Sequence, residues 1–95
     1  MKERYKMFTN RTPDGRNNIV GVKVAELRKA QGKRFSQRAF SDKLRELGLD
    51  IDKNQVQRIE SGQRFVTDIE LGYLAKALGT SIACLLGGEY NGAYI

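Results

Sequence analysis

The sequence predicts an all-α fold, a compact bundle of five short helices preceded by an N-terminal arm. Three observations carry this expectation. Apolar residues recur at three- and four-residue intervals, the spacing of a helix with one buried face. Each apolar segment is bounded by a capping residue, a glycine stop, or both. Strand signals are weak throughout.

Residues 1–18 read as a basic, partly flexible arm. Asn10–Asn18 is rich in turn formers and has no apolar period. Tyr5, Met7 and Phe8 could pin its start to the body. A first helix is expected from near Ile19 to Gly32, with Val20, Val24 and Leu27 on one face. A second follows Ser36 as N-cap, buries Phe40, Leu44 and Leu47, and stops at Gly48. Leu49–Asp52 is a connector. Asp52 and Gln55 form a capping box for a third helix, about Lys53–Ser61, with Val56 and Ile59 inward and Gly62 as its stop. Thr67 and Glu70 form the clearest capping box of the chain. They open a fourth helix with Leu71, Leu74, Ala75 and Leu78 on its face and Gly79 at its end. Ser81 caps a short fifth helix containing Ile82, Leu85 and Leu86, closed by Gly87-Gly88. The domain therefore spans residues 19–88, and residues 89–95 are a tail.

Composition narrows the function classes. A chain of 95 residues supports one domain with a real core. No apolar run approaches the roughly 18 residues of a membrane span, and the charged N-terminus lacks the apolar stretch of a signal peptide. A cytoplasmic protein is expected. With one cysteine and no histidine, neither an internal disulfide nor a Cys/His metal site can form, and no cofactor is expected. Cys84 is expected to be a small buried apolar residue. Scattered acids and a cysteine without a nearby base give no catalytic constellation, so an enzyme is not expected.

Charge placement is more informative than the net charge of +6. Residues 1–21 carry five basic groups against two acids, residues 22–64 eleven against six, and residues 65–95 one against three. The basic part faces a polyanion, with nucleic acid the leading candidate and an acidic membrane second. The third helix fits the first. Its inward positions are apolar, and Lys53, Asn54, Gln57, Arg58 and Ser61 are left outward, with Glu60 the only acid after the cap. Asn and Gln pair with adenine's N6 and N7, and Lys or Arg reaches guanine's O6 and N7.

The ordered set Val20-Gly21, Leu27-Arg28, Ser36-Gln37, Val56-Gln57-Arg58-Ile59-Glu60-Ser61-Gly62, Leu74–Ser81 and Leu85-Leu86 resembles the Cro/cI-type helix-turn-helix family of repressors, also called the Xre family. The resemblance spans residues 20–87. It implies the lambda-repressor-like fold and a sequence-specific transcriptional regulator of the repressor class, bacterial or phage, whose third helix enters the major groove. Residue by residue, it implies base contacts from Lys53, Asn54, Gln57 and Arg58. It implies phosphate contacts from Gln37, Ser61, Gln63 and Arg64, and a structural ion pair between Arg28 and Glu60. The chain departs from the family pattern in Arg45–Asp52, which is longer than the family's tight turn. Helix two is expected to run about a turn further and the connector to be wider. Ser41 stands where alanine is usual, Val66 replaces a frequent proline, and two extra residues precede Ser36-Gln37.

Specific affinity usually requires two half-sites, so a homodimer on a near-palindromic operator is expected. Its expected surface is helix five plus the tail: Leu85, Leu86, Tyr90, Tyr94 and Ile95. Three uses are open for the arm: none, insertion of Arg11 and Arg16 into a minor groove, or exchange of Tyr5–Phe8 with a second subunit. The alternative function is a protein-interaction module, such as an antitoxin that neutralises a toxin and binds its own operator.

Overall fold

The computed structural model describes residues 11–87. Among these, five helices and no strand form: α1 (Gly21–Ala30), α2 (Gln37–Leu47), α3 (Lys53–Ser61), α4 (Asp68–Leu78) and α5 (Ile82–Leu85). No helix of the described residues is long and apolar enough to cross a membrane.

The caps explain why the helices start and stop where they do. The Ser36 hydroxyl accepts from the Ala39 amide and opens α2. Asp52 and Gln55 exchange the two bonds of a capping box at α3, as do Thr67 and Glu70 at α4. Ser81 accepts from Cys84 at α5. Each bond satisfies an amide that the helix itself leaves without a partner. α1 differs from expectation. It begins at Gly21, and its preceding residue Val20 makes no side-chain cap. Asn18 does that work from further out, its Oδ1 accepting from the Gly21 amide at 2.7 Å. Ile19 therefore stays outside the helix and is exposed.

The core is built from Val20, Val24, Phe40, Leu44, Ile51, Val56, Ile59, Leu74, Ala75, Ala77, Leu78 and Leu85. α3 packs against both α1 and α2, α4 crosses α1 and α2, and α5 closes on α4. Leu47 and Leu71, expected in the core, are only partly buried at its edge. Ile51 is the converse case. The sequence places it in a connector, and the structure buries it to 2 % exposure. That side chain anchors the long link Gly48–Asp52, which Arg45 also braces by donating to the Ile51 carbonyl at 3.1 Å. The link is wide, as expected, but fastened at its middle. Ser41 is buried without loss because its hydroxyl donates to the Arg38 carbonyl. Cys84, expected to be buried, is half-buried on the short α5.

Two expectations about the ends change. Residues 12–18, expected in the partly flexible arm, form a turn fastened to the C-terminal end of α3, so the folded body includes residues before Ile19. Leu85, expected on a dimer surface, lies inside this chain's own core, and Leu86 is partly buried against that core. Tyr5, Met7, Phe8, Tyr90, Tyr94 and Ile95 lie outside the described residues.

Candidate nucleic-acid interface

On α3, Val56 and Ile59 point inward and are 0 % and 1 % exposed. The helical period then sends the intervening residues outward. Lys53, Asn54, Gln57 and Arg58 are all exposed, and none of the four makes a side-chain hydrogen bond or ion pair with a described residue. An ordinary surface helix would gain from carboxylates four residues from its lysines and arginines. α3 lacks them on this edge, and its donors and acceptors stay unspent.

The opposite edge is fastened by ions. The Arg28 guanidinium forks onto Glu60, with Nε to Oε2 at 2.7 Å and Nη2 to Oε1 at 3.1 Å. Its remaining Nη1 donates to the Phe35 carbonyl. The two side chains are only 10 % and 7 % exposed. Parallel N–H···O bonds of this kind fix geometry as well as supply energy. The pair joins α1, α3 and the loop before α2 in one contact.

Gln37 joins the same network. Its Nε2 donates to Glu60 Oε1 at 2.9 Å, so it supports α3 directly. The amide oxygen has no partner among the described residues, but an oxygen cannot donate to a phosphate. Any phosphate contact must use its remaining Nε2 hydrogen or its backbone amide at the start of α2.

Ser61 and Gln63 are exposed at the end of α3, and the Ser61 hydroxyl turns back onto the Arg58 carbonyl. Arg64 is engaged. Nη1 and Nη2 fork onto the two Glu70 oxygens at 2.9 and 3.0 Å, and Nη1 also donates to the Phe65 carbonyl. Its expected place as a phosphate clamp therefore competes with a bound carboxylate. The pair has a local reason: Glu70 is the third residue of α4 and also accepts from the Thr67 amide. The hydrogen bond from Arg64 holds the Glu70 carboxyl below the ordinary glutamate range, against the effect of burial, with help from Thr67.

Two groups missed in the sequence complete the basic surface. Lys33 and Arg38 line a single cleft with Ser36, Gln37, Lys53 and Arg28. Arg38 and Lys53 also border the adjoining cleft that runs to Asn54. Neither Lys33 nor Arg38 has an acidic partner among the described residues. The loop before α2 brings Lys33 beside α3, and sequence distance concealed this. No group of three or more metal-binding side chains occurs among the described residues.

Compared with family models, curated proteins and solved structures, the chain gives no match to any of the three.

Proposed function

We propose that this chain is a sequence-specific double-stranded-DNA-binding transcriptional regulator in which α2 and α3 form a lambda-repressor-like helix-turn-helix and α3 reads the major groove. One observation carries the reading: the outward edge of α3 presents Lys53, Asn54, Gln57 and Arg58 exposed and without side-chain partners among the described residues, on a helix whose other edge is locked by Arg28–Glu60. These side chains have the lengths and donor patterns that read base edges. Lys33 and Arg38 add cations suited to phosphates beside Lys53, and Gln37 sits at the start of the supporting helix.

Such a unit makes few base contacts, so the proposal includes a homodimer on a near-palindromic operator. With Leu85 committed to the core, Ile82, which is 41 % exposed, and the partly buried Leu86 are the apolar groups that α5 and its C-cap offer to a subunit contact.

Selection of bound duplexes from a random pool tests the reading. A recovered motif with two related half-sites about one or two helical turns apart is the expected result. Recovery of no motif, with binding equal on all duplexes at low salt, refutes it. Gel filtration with and without the selected duplex tests the dimer.

A further inference from the structure

We infer that Arg16-Asn17-Asn18 is a positioning strap that sets the placement of α3 and thereby its choice of bases, an inference that rests on the DNA-binding reading above. The C-terminal end of a helix exposes carbonyls that have no partner within the helix. Here three successive residues donate to two carbonyls of the last turn of α3 and to three of the loop that follows it. Arg16 Nη2 donates to the Glu60 carbonyl at 2.8 Å. Asn18 Nδ2 divides its two hydrogens between the Ile59 and Arg64 carbonyls, at 3.0 and 2.8 Å. The Asn17 amide donates to the Gly62 carbonyl at 2.7 Å, and its side chain to the Gln63 carbonyl at 3.0 Å.

The fit around this strap is close. Gly21 lies so near α3 that a Cβ there would sit 2.1 Å from the Ile59 carbonyl oxygen. Gly62, at φ +88°, leaves room for the Arg16 side chain, which a Cβ would meet at 2.7 Å. The strap's own base is shaped by a short turn, in which the Thr12 hydroxyl bonds Asp14 and accepts from the Arg16 amide at 2.9 Å.

Arg16 has no carboxylate partner among the described residues, and its Nε is buried without a hydrogen-bond partner. A guanidinium aimed at helix carbonyls is favoured by the negative end of the helix dipole. It is costly in other respects, since the unmet Nε donor is taken from water. A positioning role accounts for placing a cation there. The core contacts of Val56 and Ile59 resist separation of α3 from the bundle but are non-directional, so they fix its tilt and axial position only weakly. Directional bonds at this end add to those of Arg28 and Gln37 on the edge in fixing both. The opposite end, about 12 Å away along the axis, carries Lys53 and Asn54. Hydrogen bonds to bases tolerate only a few tenths of an ångström, so a small tilt at the strap would cost base contacts while leaving general phosphate attraction intact.

The test compares full-length wild type, Arg16→Ala, Arg16→Lys and Asn17→Ala on the selected duplex and a scrambled one, across salt concentrations, with backbone amide exchange measured on each free protein. Arg16→Ala is expected to cut the ratio of selected to scrambled affinity about tenfold with the salt slope unchanged, and Arg16→Lys to recover most of it. Asn17→Ala, which removes only the Gln63 bond, is expected to lower the ratio about threefold and supplies the reading if Arg16→Ala does not fold. Equal weakening on both duplexes with a shallower salt slope would make Arg16 a phosphate contact and overturn the strap. An unchanged ratio in the folded variants overturns it as well. Amide exchange separates this outcome from failure of the DNA reading. The amides of Ser61–Arg64 should exchange about tenfold faster in Arg16→Ala while those of α4 hold, whether or not any duplex binds. Unchanged exchange at Ser61–Arg64 refutes the strap on its own.

Discussion

Along its outward edge α3 exposes Lys53, Asn54, Gln57 and Arg58 with no side-chain partner among the described residues, whereas its other edge and the carbonyls at its C-terminal end are tied down. Five carbonyls from Ile59 to Arg64 accept bonds from Arg16, Asn17 and Asn18, and Glu60 is shared by Arg28 and Gln37. The contrast shows how a helix of nine residues can present unsatisfied side chains with a defined direction. So short a helix is not stable alone. Its order comes from neighbours, and those neighbours grip the end and the edge that a ligand does not need.

The comparison can be broken most strongly at Arg28. Arg28→Ala leaves the Glu60 carboxylate buried with only Gln37 beside it, and a loss of about 3–5 kcal/mol in unfolding free energy is expected from urea titration. A loss below about 1 kcal/mol would mean that the fastened edge is an ordinary surface pair. On the free edge, Arg58→Ala should leave the urea midpoint nearly unchanged while costing about 1–3 kcal/mol of binding to the selected duplex and relaxing preference at one base pair. Loss of stability without loss of preference would place Arg58 among the holding residues.

Thr67→Ala removes the hydroxyl that caps α4 and should cost about 1 kcal/mol of stability, read by urea or thermal unfolding. Arg38→Ala should weaken every duplex alike and flatten the salt dependence of binding by about one unit. The smallest effect is in acid. Because Arg64 holds the folded Glu70 carboxyl below its ordinary value, the pair's contribution is whole at neutral pH. It starts to fall as pH drops past the ordinary glutamate value, and it is gone below the folded value. Arg64→Met should therefore shrink the stability difference between about pH 7 and pH 3. An unchanged difference would show the pair to be open in solution.

Much of this was legible from residue order because the signals are local. Ser36, Asp52 with Gln55, and Thr67 with Glu70 act within one helical turn, so they marked the starts of α2, α3 and α4 to the residue. The inward and outward faces of α3 follow from a period of 3.6 residues. At α1 the same reasoning missed, since Asn18 caps from outside and is held there by α3, a partner far along the chain. Ile51 was missed as a core residue for a related reason: a single apolar side chain in a link has no period to reveal it.

Taken alone, residue order determined the all-α class, four of the five helix starts, the bipartite charge and the polar edge of α3, because propensity, capping and periodicity are properties of near neighbours. Tertiary structure decided which of those polar groups are spent. It committed Arg64 to Glu70 and Gln37 to Glu60, fastened Arg16 of the expected arm onto the end of α3, drew Leu85 into the core, and brought Lys33 and Arg38 beside Lys53. A charge is visible in a sequence, but its partner is chosen by distance in space.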